Sequence, residues 1–385
     1  MKHSWENMKL SKVLSQYREE IWVDDTKEYP QLTNSKYDGI GLRGKKMGAE
    51  IGRKRQFVVN LDKYPNTITF TRQTIQVDEA IGLCPPQVNG CIVTENMPLF
   101  TVENAEPKFI DYFFRTRLFL DQLHKTAALG TSQQSVHEDI FLNYEISLPS
   151  LPEQQRIISK IESVKQRIEQ IEKLRAEQTK DIKNLLFSKY TELIENAEWL
   201  PMKDVAPIHR RQVKIEPKET YYEIGVRSFG KGLFEKPSFK GMELTWQQPY
   251  WMKEGDLLFS NIKAWEGAVG LIHQKYDGWV GSHRYITCLP NLELINPEFL
   301  FYYFRTQEGV EKLSSASPGT VDRNRTLNTK MLHQIEIPVP DITLQEEFVE
   351  LLHKVNAIKE QHSETEKELT QLMPSLLDKA FKGEL

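Results

Sequence analysis

The sequence predicts an α+β chain. Two mixed α/β globules are separated by two long helices packed as an antiparallel coiled coil, and the whole is an internal pseudo-twofold repeat. Three observations carry this. Matching segments recur at an offset that drifts between 184 and 194 residues. Each copy opens with short β-branched and aromatic runs bounded by Asn, Asp, Gly and Pro. Each copy closes on a long stretch almost free of Gly and Pro, with apolar residues alternating at steps of three and four.

The repeat is read first, because a period this long marks a duplicated domain and not a solenoid. Pro107–Thr116 (PKFIDYFFRT) aligns with Pro297–Thr306 (PEFLFYYFRT), and Glu145–Pro149 with Glu336–Pro340. Trp5, Met8 and Lys9 match Trp199, Met202 and Lys203; Asn89-Gly90 matches Asp277-Gly278; Gly130-Thr131 matches Gly319-Thr320; Ile40–Arg43 matches Ile224–Arg227. The expected division is a globule over 1–150, a helix over 151–198, a second globule over 199–341 and a second helix over 342–385.

Within the globules, residues 58–61, 67–71, 90–94, 256–260 and 284–288 read as strands. Residues 109–123 and 299–313 read as one amphipathic helix each. In the first long helix the seam is Ile157, Ile161, Val164, Ile168 and Ile171; in the second it is Phe348, Leu352 and Val355. Lys359 and His362 then interrupt it before Leu369, Met373 and Leu376, and Pro374 is expected to break the helix. A helix of about 40 residues spans ~60 Å and cannot bury its stripe alone, so each is expected to pack on the other.

Composition narrows the function classes. Apolar residues are 39% and charged residues 27% of 385, enough to bury real cores. No run approaches the ~18 apolar residues of a membrane helix, and the N-terminus has no signal-peptide core. Cys84, Cys91 and Cys288 include no CxxC pair, which disfavours a zinc ribbon or disulfide framework and fits a reducing cytoplasm. The net charge of −4 alone discourages nucleic-acid binding. Its distribution reverses that: the four segments carry −1, 0, +1 and −4, so the last helix holds the equivalent of the whole excess.

The near-neutral globules hold cationic clusters. Arg43, Lys45, Lys46, Arg53 and Arg55 share a Gly-rich segment with one acid, Glu50. Arg210 with Arg211, and Arg323 with Arg325, cluster in the second copy. Loop-borne cations near Gly suit phosphate and guanine-edge contact, with a solvated loop as the competing reading.

Catalytic motifs are not found. Gly225–Lys231 fits GxxxxGK, but Gly232 stands where Ser or Thr belongs, and a flexible Gly loop is the better reading. His137-Glu138 lacks the second His of HExxH, no GxSxG occurs, and Cys84-Pro-Pro-Gln87 is only superficially like an adenine-methylating tetrad. No metal site is read. A long, doubled chain without a catalytic set suggests two binding modules.

The order globule–helix–globule–helix resembles the specificity (S) subunit of type I restriction–modification systems over essentially the full chain. The carriers are Leu148–Ile157 (LPSLPEQQRI), the C-terminal Leu376–Leu385 (LLDKAFKGEL), Gly255–Ser260, the Gly130–Ser135 loop and the Phe-Arg-Thr helix ends at Arg115 and Arg305. Asn66–Phe70, where the second copy has Gly-Asp-Leu-Leu-Phe, departs from the pattern, as does the polar middle of the last helix.

The resemblance implies a non-catalytic subunit with two target-recognition globules, each reading one half of a split double-stranded DNA site. The helices would act as a ruler for the spacer. Two methyltransferase subunits, each with S-adenosylmethionine, would dock for adenine methylation, and a motor–nuclease subunit would join for restriction. No cofactor is expected on this chain.

Expected DNA contacts are Arg43, Lys45, Lys46, Arg53, Arg55, Arg72, Arg210, Arg211, Arg227, Lys231, Asn261, Lys263, Arg323 and Arg325. Gln133 and Gln134 suit adenine readout, whose paired donor and acceptor match an amide; surface solvation is their competing reading. Two other function classes stay open here: a single-chain DNA-modifying enzyme, and a coiled-coil adaptor with no DNA role.

Overall fold

Two antiparallel strand pairs tie the ends of each globule together. Glu6–Lys9 pairs with Glu145–Leu148, and Glu198–Pro201 pairs with Glu336–Val339. The computed structural model describes residues 5–35, 39–73, 75, 80–127, 135–244, 248–319 and 321–385. Two compact units emerge: residues 1–175 with 362–385, and residues 176–361. Each combines one globule with part of each long helix.

In the first unit a four-stranded antiparallel sheet runs in the order Leu14–Tyr17, Leu99–Val102, Thr67–Phe70, Ile81–Leu83. A five-stranded sheet runs in the order Glu20–Trp22, Arg55–Val58, Ile92–Val93, Glu28–Ser35, Gly39–Met47. The strand expected at 58–61 lies at Arg55–Val58 instead. Asn60 ends it, because its side-chain oxygen accepts the Lys63 N–H and its carbonyl accepts the Tyr64 N–H, which closes a turn.

The second unit has sheets Val269–Leu271, Leu257–Ser260, Tyr285–Cys288 and Arg211–Gln212, Tyr250–Trp251, Val280–Gly281, with two hairpins beside them. The strands expected at 67–71, 90–94, 256–260 and 284–288 fall at Thr67–Phe70, Ile92–Val93, Leu257–Ser260 and Tyr285–Cys288.

The stretches read as single helices are split in both units: Pro107–Phe113 then Arg117–Ala127, and Pro297–Tyr303 then Gln307–Ser315. A threonine causes each break. The hydroxyls of Thr116 and Thr306 donate to the carbonyls of Phe113 and Tyr303 at 2.7 Å and accept the N–H groups of Phe119 and Gly309.

The repeat is repeated in contacts that no pattern of hydrophobicity reveals. The Asp24 N–H donates to the Tyr29 hydroxyl at 3.0 Å, and the Glu216 N–H to the Tyr221 hydroxyl at 2.9 Å. Gly48 and Gly241 sit against those same loops: a Cβ there would lie 1.9 Å from the Asp24 carbonyl and 2.1 Å from that of Glu216. Both positions therefore exclude a side chain. The two tryptophans differ in partner: Trp5 meets Phe109 edge-on at 6.2 Å, whereas Trp199 meets Tyr303, the counterpart of Phe113, at 6.4 Å.

The long helices are Leu151–Ile194 and Ile342–Phe381, and the second runs through Pro374 without a break. In the first unit they run antiparallel: Arg156 bonds the Leu385 carbonyl, and Arg175 pairs with Glu366 at 2.9 Å. The seam is strongest where it joins a globule. Ile157 and Ile161 are buried in one core with Leu377, Ala380 and Phe381, and the Phe381 ring lies 4.5 Å from that of Phe109. Leu376 packs on the edge of this core, while Val164 and Ile168 are half-buried. In the second unit Phe348 and Val355 are buried with Leu186 and Tyr190, and Leu352 is packed against them. Ile171 and Leu174 are exposed.

Candidate nucleic-acid interface

The second globule gathers most of its expected site residues along one series of hydrogen-bonded loops. The strand Leu257–Ser260 is buried throughout, with Ser260 its one polar residue. Just past its end Lys263 is exposed, while Asn261 is half-buried and its side-chain oxygen is buried without a hydrogen-bond partner among the described residues. The Asn261 N–H donates to the Arg284 carbonyl at 2.8 Å, and the Asn261 carbonyl accepts the Leu327 N–H at 2.7 Å. This joins three loops. Lys263 pairs with Glu266 at 2.8 Å and lies 5.1 Å from the Trp265 ring. Bonding to Lys263, helped by the Ser228 hydroxyl, holds the Glu266 carboxyl below its ordinary range.

Glu266 in turn accepts, through its carbonyl, the Phe229 N–H at 2.8 Å, and Gly267 accepts the Gly230 N–H at 3.2 Å. These bonds seat the tip of the hairpin Ile224–Val226/Leu233–Glu235, which carries Arg227 and Lys231, both exposed. The Arg227 guanidinium lies 4.8 Å over the Phe234 ring. The GxxxxGK stretch is therefore a hairpin turn and not the strand–loop–helix of a phosphate-binding loop. Arg210 joins from the other side: its guanidinium stacks 3.9 Å from the Tyr250 ring and donates to the His283 carbonyl at 2.6 Å. Desolvation, then Arg284 and Arg210, push the His283 imidazole below its usual value, which favours the neutral ring near pH 7.

Two expected contacts here are turned inward. Arg211 grips the fully buried Asp256 with both terminal nitrogens, at 2.5 and 3.1 Å. Arg325 donates to the Ser314 carbonyl and hydroxyl at 2.7 Å and to the Ser317 carbonyl at 3.1 Å, and its guanidinium faces Trp265 at 4.7 Å. Arg211 thus serves the fold, and Arg325 fastens the end of helix Gln307–Ser315 to its loop. Arg323 lies in the 3-10 turn Asp322–Asn324, and its side chain is outside the described residues. Sequence reasoning missed Arg284, Trp265 and Phe229; the aromatic–cation interleaving of Lys263-Ala-Trp265 was the available signal.

In the first globule the cluster at 43–46 is on a strand, Gly39–Met47, and not on a loop. That strand is the sheet edge, and the pairing slips between Gln31 and Leu32, leaving Arg43 as the extra residue of a bulge. Such a bulge re-aims one side chain. Lys45 pairs with Glu28 at 3.1 Å, and Lys46 is exposed. Arg53 contacts Glu95 at 3.4 Å; Arg55 bonds Glu20 at 2.8 Å and nears Glu95 at 3.6 Å.

Arg72 does not point outward. Its guanidinium closes on Glu138, which also accepts from Gln16, in a cavity of about 190 Å³. Burial pushes the Glu138 carboxyl up, but its bonds from Arg72, from the backbone and from Gln16 outweigh this and hold it below its ordinary range. Gln133 and Gln134 lie outside the described residues.

Each globule carries the same clamp, also missed from sequence. Gln154 and Gln345, at 1% and 0% exposure, open the two long helices. Gln154 Oε1 accepts the Glu106 N–H at 2.8 Å, and its amide donates to the Pro149 carbonyl at 2.8 Å. Gln345 Oε1 accepts the Asn296 N–H at 2.8 Å, and its amide donates to the carbonyls of Pro340 at 2.7 Å and Leu294 at 3.0 Å. The clamp fixes each helix start to the helical face of its globule.

This architecture matches known proteins. The sequence fits the family described as type I restriction modification DNA specificity domain over residues 23–179 and 198–371. It is 22% identical over 300 residues to the type I restriction enzyme MjaVIII specificity subunit of Methanocaldococcus jannaschii, covering 71% of this chain and 70% of that relative. It is 21% identical over 130 residues to the type I restriction enzyme HindI specificity subunit of Haemophilus influenzae, covering 34% of this chain and 28% of that one. Among solved structures, a chain of a type I R-M system superposes with a TM-score of 0.69 at 21% identity, over 99% of this chain and 98% of the other. The HsdS subunit from Thermoanaerobacter tengcongensis gives 0.66 at 22% identity, over 99% and 97%. Among the described residues no helix is long and apolar enough to cross a membrane.

Proposed function

We propose a mechanism of target selection from one premise: the chain belongs to the type I restriction–modification DNA specificity family, which matches both of its repeats. It is a non-catalytic subunit that gives a restriction–modification complex its DNA sequence specificity. Our reading of how it does so is that each globule reads one half of a bipartite duplex target, and the two long helices set the unspecified spacer between the halves.

The observation that carries this reading is the duplication of the whole frame, down to the buried glutamine at the head of each helix. A repeated frame suits a split site, because the symmetry of the protein modules dictates half-site spacing. On the second globule, Arg227, Lys231 and Arg284 are the candidates for phosphate contact, which fixes register without reading sequence, while Lys263 would first have to leave Glu266. Asn261, expected from sequence as a contact, has its side-chain oxygen buried and does not present the paired acceptor and donor that adenine readout needs. On the first globule, Arg43 on its bulge and Lys46 hold the corresponding roles, and Gln133 and Gln134 remain proposed adenine readers.

Two methyltransferase subunits would dock on the helices and globules, each supplying S-adenosylmethionine as the methyl donor for adenine. A motor–nuclease subunit would join for cleavage, all in the cytoplasm. The test is methylome sequencing of cells with and without this gene. Loss of one bipartite motif, both halves together, is expected on deletion. An unchanged set of methylated motifs would refute the reading. Transfer of labelled methyl groups by the purified chain alone would refute the non-catalytic role.

A further inference from the structure

The hairpin tip of the second globule carries a residue that its turn disfavours. Phe229 and Gly230 have φ angles of 61° and 64°, and the Lys231 N–H closes back on the Ser228 carbonyl at 3.4 Å. Successive positive φ values are the signature of a type I′ turn, whose first central position takes Asn, Asp or Gly. A phenylalanine there is strained by its Cβ. Among the described residues no side-chain contact offsets the strain: Phe229 is 73% exposed and its ring has no ring or cation partner.

The tip is nevertheless tied down by hydrogen bonds. Phe229, Gly230 and Arg227 each donate a backbone bond, to Glu266, Gly267 and Gly232, and the Ser228 hydroxyl bonds the Glu266 carboxylate. A strained residue held by an over-determined support points to a function. On either side stand Arg227 and Lys231, exposed and without an ion-pair partner among the described residues. A flat apolar ring between two cations suits a ligand with π faces and phosphates.

We propose that Phe229 is a DNA wedge: its ring presses against the base stack of the half-site faced by the second globule, with Arg227 and Lys231 on the flanking phosphates. This rests on the DNA-specificity reading above. Contact through a base face tolerates many bases, so Phe229 would help position the half-site and favour steps that unstack easily, while neighbouring side chains read edges.

The test uses the full chain assembled with its methyltransferase subunits. The probe is a duplex carrying the motif that gene deletion removes from the methylome, with 2-aminopurine placed in turn along the second half-site. Native complex should raise the fluorescence at one step, the sign of unstacking. Phe229→Asn suits the turn, so the thermal midpoint should hold or rise. Affinity should fall about 5- to 150-fold, the range of base–aromatic stacking, and the fluorescence rise should vanish. Phe229→Trp should keep both. Lys231→Ala should lower affinity and reduce the salt slope by about one while keeping the fluorescence rise.

Native-like binding and fluorescence in Phe229→Asn would overturn the wedge and leave the DNA-specificity reading standing, as would a fall in its thermal midpoint, which would make the ring part of the fold. If deletion of the gene removes no motif, the DNA-specificity reading itself falls, and with it the wedge.

Discussion

Replacing Gln345 with Met should destabilise the second unit while leaving the first intact. Methionine keeps the length and unbranched shape of the side chain but removes its amide. Three hydrogen bonds disappear, from Asn296 N–H and to the carbonyls of Pro340 and Leu294. At a net value of roughly 1 kcal/mol each, the loss is about 3 kcal/mol. The three abandoned backbone groups then face a side chain buried to 0% exposure, so little water can replace the amide. For a unit spanning residues 176–361 this corresponds to a fall in thermal midpoint of roughly 6–12 °C. Gln154→Met removes two such bonds in the first unit and should cost about 2 kcal/mol. The assay is scanning calorimetry of the full chain, with amide hydrogen exchange to locate the loss. Faster exchange should centre on Asn296 and the following turn in Gln345→Met, and on Glu106 in Gln154→Met. A shift under about 2 °C, or exchange that quickens equally in both units, would show that the glutamines do not clamp separate units.

Arg72→Met should destabilise the first unit toward the lower end of about 3–5 kcal/mol, because it abandons Glu138 in its cavity while Arg18 still stands 3.6 Å away. A change in the salt slope of DNA binding with no change in urea midpoint would instead make Arg72 a phosphate contact. The Glu138 carboxyl is held below its ordinary value of 4.5, so the stability it contributes is present above that value and lost as pH falls through the lowered one. Glu138→Gln should flatten that acid limb, as read by urea midpoints from pH 6 downward; an acid limb as steep as the native one would refute the pairing. Adding four residues after Glu177, with four more at the matching level near Gln361, lengthens the pair by ~6 Å. The methylated motif should gain about two base pairs of spacer with both halves unchanged, and an unchanged spacer would sink the ruler. Replacing residues 199–341 with the globule of another such subunit should alter one half-site alone in the methylome, and a change in both halves would refute modular reading.

The fold was legible because its strongest signals are periodic or repeated. The Pro107–Thr116 and Pro297–Thr306 match located two copies, and the three-and-four spacing around Ile157 and Phe348 located the helices that join their cores. The break at Thr116 and Thr306 was not legible, since the apolar stripe continues across it and only a hydroxyl bond to the backbone ends the helix. The clamp was half-legible. Gln154 stood in the LPSLPEQQRI stretch that marked the resemblance, but its burial depends on carbonyls left free at a helix start. The site was the least legible, because basic residues were chosen by type and proximity in sequence. Arg72, Arg211 and Arg325 met those criteria, yet each is consumed by an internal partner: Glu138 and Asp256 far along the chain, and the Ser314 carbonyl in the preceding helix. Phe229 was passed over because an apolar residue in a Gly-rich turn draws no electrostatic argument.

That consumption explains how a near-neutral globule can still face DNA. What counts for phosphate is not net charge but the cations left after intramolecular pairing. On the second globule, Arg211 and Arg325 are spent on the frame, while Arg227 and Lys231 ride on a hairpin whose backbone bonds leave both side chains outward. On the first, an edge strand and one bulge present Arg43 and Lys46 by different means. The frame beneath is the same in both copies: the Tyr29 and Tyr221 hydroxyl bonds, the Gly48 and Gly241 contacts, the Gln154 and Gln345 clamps. Frame contacts are buried and close-packed, so almost any change in them costs stability. Face residues are solvated at the ends of strands and turns, where substitutions cost little. A chain built this way can exchange what it reads without rebuilding what holds the reader. With few cations left unpaired among the described residues, each globule is expected to bind duplex weakly when the chain is alone and more tightly once assembled, which binding measured with and without the partner subunits would check.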